Sequence, residues 1–460
     1  MPAPTSASAI ALDLGTTAIK AGLLDDGGRL VRIVSRTAPE IAAHDGRYES
    51  DAMAYARAAE QALEACRGDA PLGLCSQRSS FLIWNRITGQ PLTPLISWQD
   101  NRGAASCDAL RDEEETVREL TGLRLAPYYF APKLRVLLAE RPELRTGLEQ
   151  GGLLAGTLDT FLIWRWTDGK EFVTDASMAA RTLLMDIRAQ QWSPALCQLF
   201  GIPLSWLPAI TPSTGLALPL NNGLTLQASM GDQSAALIAS VGGNRSDILV
   251  NLGTGGFAMR YLGEGEAAQA GYLRTLVYLD AARRAHVAME GTLNSLAAAL
   301  APYPAAECGI DDLARSDIFC LAEPSGLGAP YFRNDMGVRY SWPVAQLPPR
   351  VVGCLLLEGI VFRVARMLED FQHAAPIGRI MLSGGLSELG ALQQGIALCA
   401  PCPVYRLRQK DASLQGAALA AGGAEGAPND AERIYPEQDH SALVEKFQRW
   451  KGWFDALLRA

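Results

Sequence analysis

Leu14-Gly15-Thr16-Thr17 and Leu252-Gly253-Thr254-Gly255-Gly256 each set glycine and threonine directly after a short apolar run. Glycine lets a backbone come close to a ligand, and successive N–H groups with threonine hydroxyls can hold phosphate oxygens. Either turn alone also reads as an ordinary hairpin. They lie 238 positions apart, close to half the chain, and two such turns could grip one polyphosphate. No G-x-x-x-x-G-K-[ST] run occurs, which excludes a P-loop. A G-x-G-x-x-G after a strand is also missing, which weakens a dinucleotide reading. A third feature, Met230-Gly231-Asp232-Gln233, puts a carboxylate where an apolar strand meets an alanine-rich helix, a position at which Asp ordinarily serves as an N-cap.

The elements around these residues alternate. Ile10–Leu14 and Ile19–Leu24 read as strands around the first turn, and Ile248–Leu252 and Phe257–Leu262 repeat the design around the second. Asp51–Cys66, Leu134–Glu140 and Pro194–Phe200 read as helices, and Asp159–Trp166 as a helix begun by Thr157 or Asp159. Leu72–Cys75 and Gly152–Gly156 read as strands, and Ser234–Ser240 as a helix. The final helix, roughly Ser441–Leu458, carries Leu443, Phe447, Trp450, Phe454 and Leu457 at helical spacing, the stripe of a packed face. The alternation predicts α/β domains. Val241-Gly242-Gly243-Asn244 is the natural hinge, giving domains 1–242 and 243–460.

Composition bounds the function. The chain has 460 residues, against about 150 for a typical domain, so more than one domain is expected. It is 48% hydrophobic and 20% charged, which rules out a disordered chain. Forty-one Lys and Arg against 49 Asp and Glu give a net charge of −8, so no broad cationic surface for nucleic acid is expected. No window reaches the ~18–20 apolar residues of a membrane span, since runs such as Cys354–Phe362 are broken early. Met1–Ala9 lacks the basic start and apolar stretch of a signal peptide and reads as a frayed tail. Nine scattered cysteines suit reduced thiols and a cytoplasmic location. Cys399 and Cys402 form a lone CxxC, which favours buried thiols over zinc.

Taken in order, the motifs resemble those of the FGGY carbohydrate kinases, with wording nearest the glycerol kinases. They run from Ala11-Leu12-Asp13-Leu14-Gly15-Thr16-Thr17 through Ser76-Gln77-Arg78, Ile96-Ser97-Trp98-Gln99-Asp100 and Gly156–Trp164 to Thr174-Asp175-Ala176-Ser177. Gly231-Asp232-Gln233, Gly253-Thr254-Gly255, Ser325–Tyr331, Ser383-Gly384-Gly385 and Gln415-Gly416-Ala417-Ala418 complete the series. The resemblance implies an α/β fold of two actin-like ATPase (ribonuclease-H-like) domains with an interdomain cleft. The first domain would carry the acceptor site and the first phosphate hairpin, and the second would bind nucleotide.

The resemblance also implies roles. Thr16, Thr17 and Thr254, with Gly253 and Gly255, would hold ATP phosphates, and Lys20 would neighbour them. Gly291, Gly384 and Gly385 would line the nucleotide pocket. Asp13, with Asp232, would support Mg2+. Asp232 would be the catalytic base, since a sugar hydroxyl is a weak nucleophile and a carboxylate within reach can accept its proton. Gln77, Arg78, Trp98, Tyr128, Gln233 and Phe257 would form the acceptor pocket, where amides and forked donors orient hydroxyls and aromatic faces cover carbon. For Arg78 a surface salt bridge, and for Trp98 and Phe257 plain core packing, are the alternatives.

Three departures bear on the substrate. Ser79 stands where glycerol kinases carry Glu, which points to a larger acceptor such as a pentitol or ketopentose. Ser383 and Leu389 replace Asp and Asn near the nucleotide, and Gly337–Glu358 is shorter than the usual signature. The expected activity is ATP-dependent phosphorylation of a small sugar or polyol. Glycerol kinase proper and a non-catalytic sugar- or nucleotide-binding regulator are the alternatives. Expected partners are the small-molecule acceptor and a second copy in a homodimer, with no nucleic acid and no membrane.

Overall fold

Strands Ala9–Leu14 and Ala18–Leu24 pair antiparallel around the first glycine–threonine turn, with Asp13 opposite Lys20. The computed structural model describes residues 7–66, 68–263, 265–333, 335–423, 430–436 and 441–459; most of the expected frayed tail lies outside them. The chain forms two units. The first holds residues up to Gly242, together with Thr275–Val287 and the helix Ala412–Gly422. The second holds Gly243–Arg274, Ala288–Lys410 and the closing helix Ser441–Arg459. A single cut after residue 242 therefore misses two later segments that belong with the first unit.

In the first unit the central sheet runs Leu30–Thr37, Ala18–Leu24, Ala9–Leu14, Leu72–Ser76, Thr225–Gly231 and Thr214–Pro219. The first three strands are antiparallel neighbours, and Leu72–Ser76 and Thr225–Gly231 continue in parallel. In the second unit the order starts with the latter part of Ala285–Leu293 and continues through Gly256–Tyr261, Asp247–Leu252, Arg379–Ser383, Val404–Leu407 and Ala431–Ile434. From Ala285–Leu293 to Val404–Leu407 this repeats the first sheet: an antiparallel trio, then two parallel strands. The half-chain echo in the sequence is thus an echo of topology. A five-stranded sheet in the first unit, running Ala42–His44, Arg47–Ser50, Leu95–Ile96, Phe81–Asn85 and Leu153–Thr157, carries the loops around Ser79 and Trp98.

Local chemistry explains several boundaries. The Asp51 carboxylate accepts from Met53 and Ala54 N–H at 2.8 Å each and starts the helix Ala52–Ala65. Pro194 begins the helix Pro194–Phe200, and Gly201, at φ 66°, ends it. The helix Ala412–Gly422 fits against the first sheet because small residues line the contact. A Cβ on Gly73 would meet the Ala417 carbonyl oxygen at 1.9 Å, and one on Gly416 would meet that of Ala235 at 1.8 Å. The Gln-Gly-Ala-Ala motif is therefore a packing device. In the closing helix, Leu443, Phe447, Trp450 and Phe454 are buried and Leu457 is half-buried, as the stripe predicts. Cys354–Phe362 lies inside the buried helix Pro349–Ala374, and no helix among the described residues is long and apolar enough to cross a membrane.

Candidate active site

In the first unit Asp13 and Lys20 face each other on paired strands, Gln77, Arg78, Asp232 and Gln233 follow two parallel strands of the same sheet, and Trp98 joins Thr16 from a loop of the five-stranded sheet. Asp232 opens the helix Asp232–Val241, but Gly231 holds the cap position. The Asp232 carboxylate accepts the neighbouring Gln233 N–H at 2.7 Å and makes no capping bond, whereas a capping side chain reaches two or three residues ahead. The capping explanation therefore does not account for Asp232. Its Oδ1 lies 3.5 Å from Arg78 Nε. Burial raises its pKa, and the charges of Arg78 and Arg181 pull it partly back. Arg78 reaches this position by lying across Gly231, where any Cβ would stand 2.9 Å from Arg78 Cδ.

Asp13 faces the same region. Ser413 Oγ donates to Asp13 Oδ2 at 2.6 Å, while Asp13 Oδ1 is buried with no partner. Burial pushes its pKa up to about 6, and the negative field of Asp232 adds to the rise. Lys20 donates to Asp411 Oδ1 at 2.6 Å. A buried, orphaned carboxylate oxygen beside a second carboxylate is a donor set that suits a hard divalent cation. Gln233 Oε1 is likewise buried and unpartnered.

Gln77 is placed differently from the resemblance. Its Oε1 accepts from Thr16 Oγ1 at 3.3 Å and Ser80 Oγ at 2.9 Å. Its Nε2 donates to the Gly15 carbonyl at 3.4 Å and to Tyr55 Oη at 3.3 Å. Two donors and two accepted bonds exhaust what a primary amide ordinarily makes, so Gln77 has nothing left for a substrate hydroxyl. In this arrangement Gln77 braces the first turn. Trp98 closes the circuit, since its indole N–H donates to Thr16 Oγ1 at 2.9 Å and its backbone N–H to Ser80 Oγ at 2.9 Å. Trp98 is 40% exposed, which argues against plain core packing. Tyr128 is exposed too, with its ring 4.5 Å from that of Tyr129. Thr17 is exposed at the turn.

Ser79 adopts φ 64°, the left-handed region, at a cost of about 1–3 kcal/mol for a residue with a side chain. Its hydroxyl donates to the Arg181 carbonyl at 3.0 Å, and its own carbonyl accepts from Lys133 Nζ at 2.8 Å. Sequence reasoning passed over Tyr55, Ser80, Lys133, Arg181 and Ser413. Ser80 adjoins a recognised motif and could have been found that way. The others act through contacts 22 to 400 positions distant, which no local pattern signals.

In the second unit, the Gly253–Gly256 turn is closed by Gly253 N–H donating to the Gly255 carbonyl at 2.7 Å, and it leaves Thr254 exposed. Gly384, at φ 89°, packs beside it: a Cβ there would meet the Leu252 carbonyl oxygen at 2.4 Å. Gly385 faces open space. Phe257 is half-buried on the strand after the turn. At Gly291 a Cβ would press on Met367 Sδ at 2.5 Å and on the Tyr272 ring. Helix packing accounts for that glycine. Ser383 is buried in register with Asn251, and Leu389 is half-buried before the helix Gly390–Cys399. Cys399 and Cys402 are half-buried thiols whose pKa values burial pushes up to about 12 and about 11.

Paired sheets of this topology, each with a glycine–threonine hairpin, define an actin-like ATPase fold. Residues 8–245 match the N-terminal domain of the FGGY family of carbohydrate kinases, and residues 248–425 match its C-terminal domain. The chain belongs to that family. It is 31% identical to an apulose kinase of Pectobacterium atrosepticum, covering 96% of each chain. It is 32% identical to a glycerol kinase of Gloeobacter violaceus, covering 91% of this chain and 88% of the relative. Its fold is similar to that of a Plasmodium falciparum glycerol kinase with ADP, with a TM-score of 0.81 at 21% identity and 97% of each chain covered. A xylulose kinase from Lactobacillus acidophilus aligns with a TM-score of 0.79 at 19% identity, over 97% of this chain and 98% of the other. The protein is an enzyme that phosphorylates a sugar or polyol at the expense of ATP.

Proposed function

We propose that the acceptor is a pentitol or ketopentose and that Asp232 is the catalytic base. The observation that carries the second part is the Asp232 carboxylate, which lies outside any capping geometry and 3.5 Å from Arg78. As the acceptor oxygen attacks the terminal phosphorus of ATP, Asp232 takes the hydroxyl proton and ADP leaves. A carboxylate whose pKa burial has raised is a stronger base than one in water. Arg78 and the unpartnered Gln233 Oε1 orient acceptor hydroxyls, and Trp98, Tyr128 and Phe257 offer faces to its carbon chain. Thr16, Thr17 and Lys20 in the first unit, and Gly253–Gly255, Gly384 and Gly385 in the second, are assigned to the nucleotide. Asp13 and Asp232 would hold Mg2+, which when bound neutralises phosphate charge. Nine free cysteines support a reducing, cytoplasmic setting.

Ser79 supports the larger acceptor. Its hydroxyl is spent on the Arg181 carbonyl, so this loop offers the substrate no carboxylate where a glutamate would reach out. The identity to relatives named as glycerol kinases favours glycerol as the second reading. A screen of glycerol, ribitol, xylitol, D-ribulose and D-xylulose, followed by ADP release and product identification, decides between them. The expected result is a five-carbon acceptor with kcat/KM at least about tenfold above glycerol, about 1.4 kcal/mol of transition-state discrimination. Preference for glycerol would overturn the larger acceptor, and no transfer to any acceptor would favour a regulator.

A further inference from the structure

Lys133 is completely buried on the helix Phe130–Glu140, an expensive place for an ammonium group. Its hydrogen bonds go to two backbone carbonyls and to no carboxylate: Ser79 at 2.8 Å and Ser97 at 2.7 Å. The Phe81 ring lies 5.6 Å away, Asp100 acts on it from a longer distance, and Arg102 opposes that field. A core position would be filled more cheaply by methionine or leucine, so packing does not explain a lysine here.

The two carbonyls belong to different loops. Ser79 follows Arg78 directly, in a left-handed conformation that its neighbours must hold in place. Ser97 precedes Trp98 directly. We propose that Lys133 is a positioning residue for the acceptor: it ties the Arg78 loop to the Trp98 loop at one fixed spacing, so that guanidinium and indole meet the substrate together. The Ser80 hydroxyl, accepting from Trp98 N–H, makes a second and weaker link between the same loops. The proposal rests on reading Arg78 and Trp98 as acceptor groups.

Lys133→Met keeps the length and removes the donors. Full-length variants are assayed with ribitol, D-xylulose and glycerol, and acceptor-independent ATP hydrolysis is measured alongside. The expected result is an acceptor KM raised about tenfold or more, a clearly smaller rise in the KM for ATP through the Trp98–Thr16 bond, and a hydrolysis rate within about twofold of the parent. Lys133→Gln, which retains an N–H donor on a shorter arm, is expected to fall between the two, and it decides the matter if Lys133→Met does not fold. An unchanged acceptor KM in a folded variant overturns the proposal, as does an equal rise in both KM values. Arg78→Ala is the separating control. If it raises the acceptor KM while Lys133→Met does not, only the tie is wrong. If neither raises it, the acceptor assignment itself fails.

Discussion

The two glycine–threonine turns share a strand frame but are held in different ways. The first is wired to side chains: Tyr55 Oη donates to the Gly15 carbonyl at 2.6 Å, and Thr16 sits in a circuit with Gln77, Ser80 and Trp98. The second is held by its own backbone and by the close approach of Gly384 to Leu252. A turn braced by side chains can sense what those side chains touch, whereas one braced by backbone only presents donors. The first turn is therefore linked to the acceptor residues, and the second is a fixed cradle.

The largest expected effect tests where the chemistry sits. Asp232→Asn should lower kcat by at least about 100-fold with the fold intact by circular dichroism, and near-parental turnover would remove Asp232 from the reaction. Next comes the fixed cradle. Gly384→Ala forces a Cβ into the Leu252 carbonyl at a positive φ and should cost about 2–3 kcal/mol in urea unfolding, whereas Gly385→Ala, facing open space, should be close to neutral. Equal costs at the two glycines would contradict the packing described for Gly384.

The wired turn predicts a different signature. Gln77→Met should raise the KM for both ATP and the acceptor, each about tenfold, because one amide braces both sides. Thr254→Val should affect ATP alone. A Gln77 variant altered only toward the acceptor would restore it to the pocket and dissolve the contrast.

The smallest effect concerns pH. With the Asp13 pKa raised to about 6 in the ligand-free protein, Mg2+ affinity should fall as pH drops through about 6 and that carboxylate gains a proton. Stability of the ligand-free protein runs the other way. The folded state binds more protons than the unfolded one between the ordinary carboxylate value and about 6, so stability is lost as pH rises through that window. Asp13→Asn removes this penalty and should raise the thermal midpoint at pH 8 by a few degrees. A lowered midpoint would show that the Asp13 charge is already compensated.

Much of the frame was legible in the sequence because it is local. Apolar runs flanking Gly15 and Gly253 form the expected hairpins, and Asp51 and Pro194 start helices through bonds within a few residues. Site residues were legible as motif members but not as partners. Nothing near Gln77 announces that Tyr55 and Thr16 consume its amide, and nothing near Lys133 announces Ser79 and Ser97. Gly291 shows the converse: a glycine read as a pocket position also meets a packing need that its sequence neighbours do not announce.

The helix Ala412–Gly422 has a consequence for biosynthesis. It completes the first unit from near the far end of the chain, and its Ser413 holds Asp13. On the ribosome the amino-terminal half must wait, with Gly73 and Ala235 uncovered, until that helix has been made, roughly tens of seconds later at ordinary rates of synthesis. A fragment ending at the hinge would lack both the cover for its sheet and the hydroxyl that holds Asp13. The two halves repeat one topology, yet the first cannot be finished before most of the second has been translated.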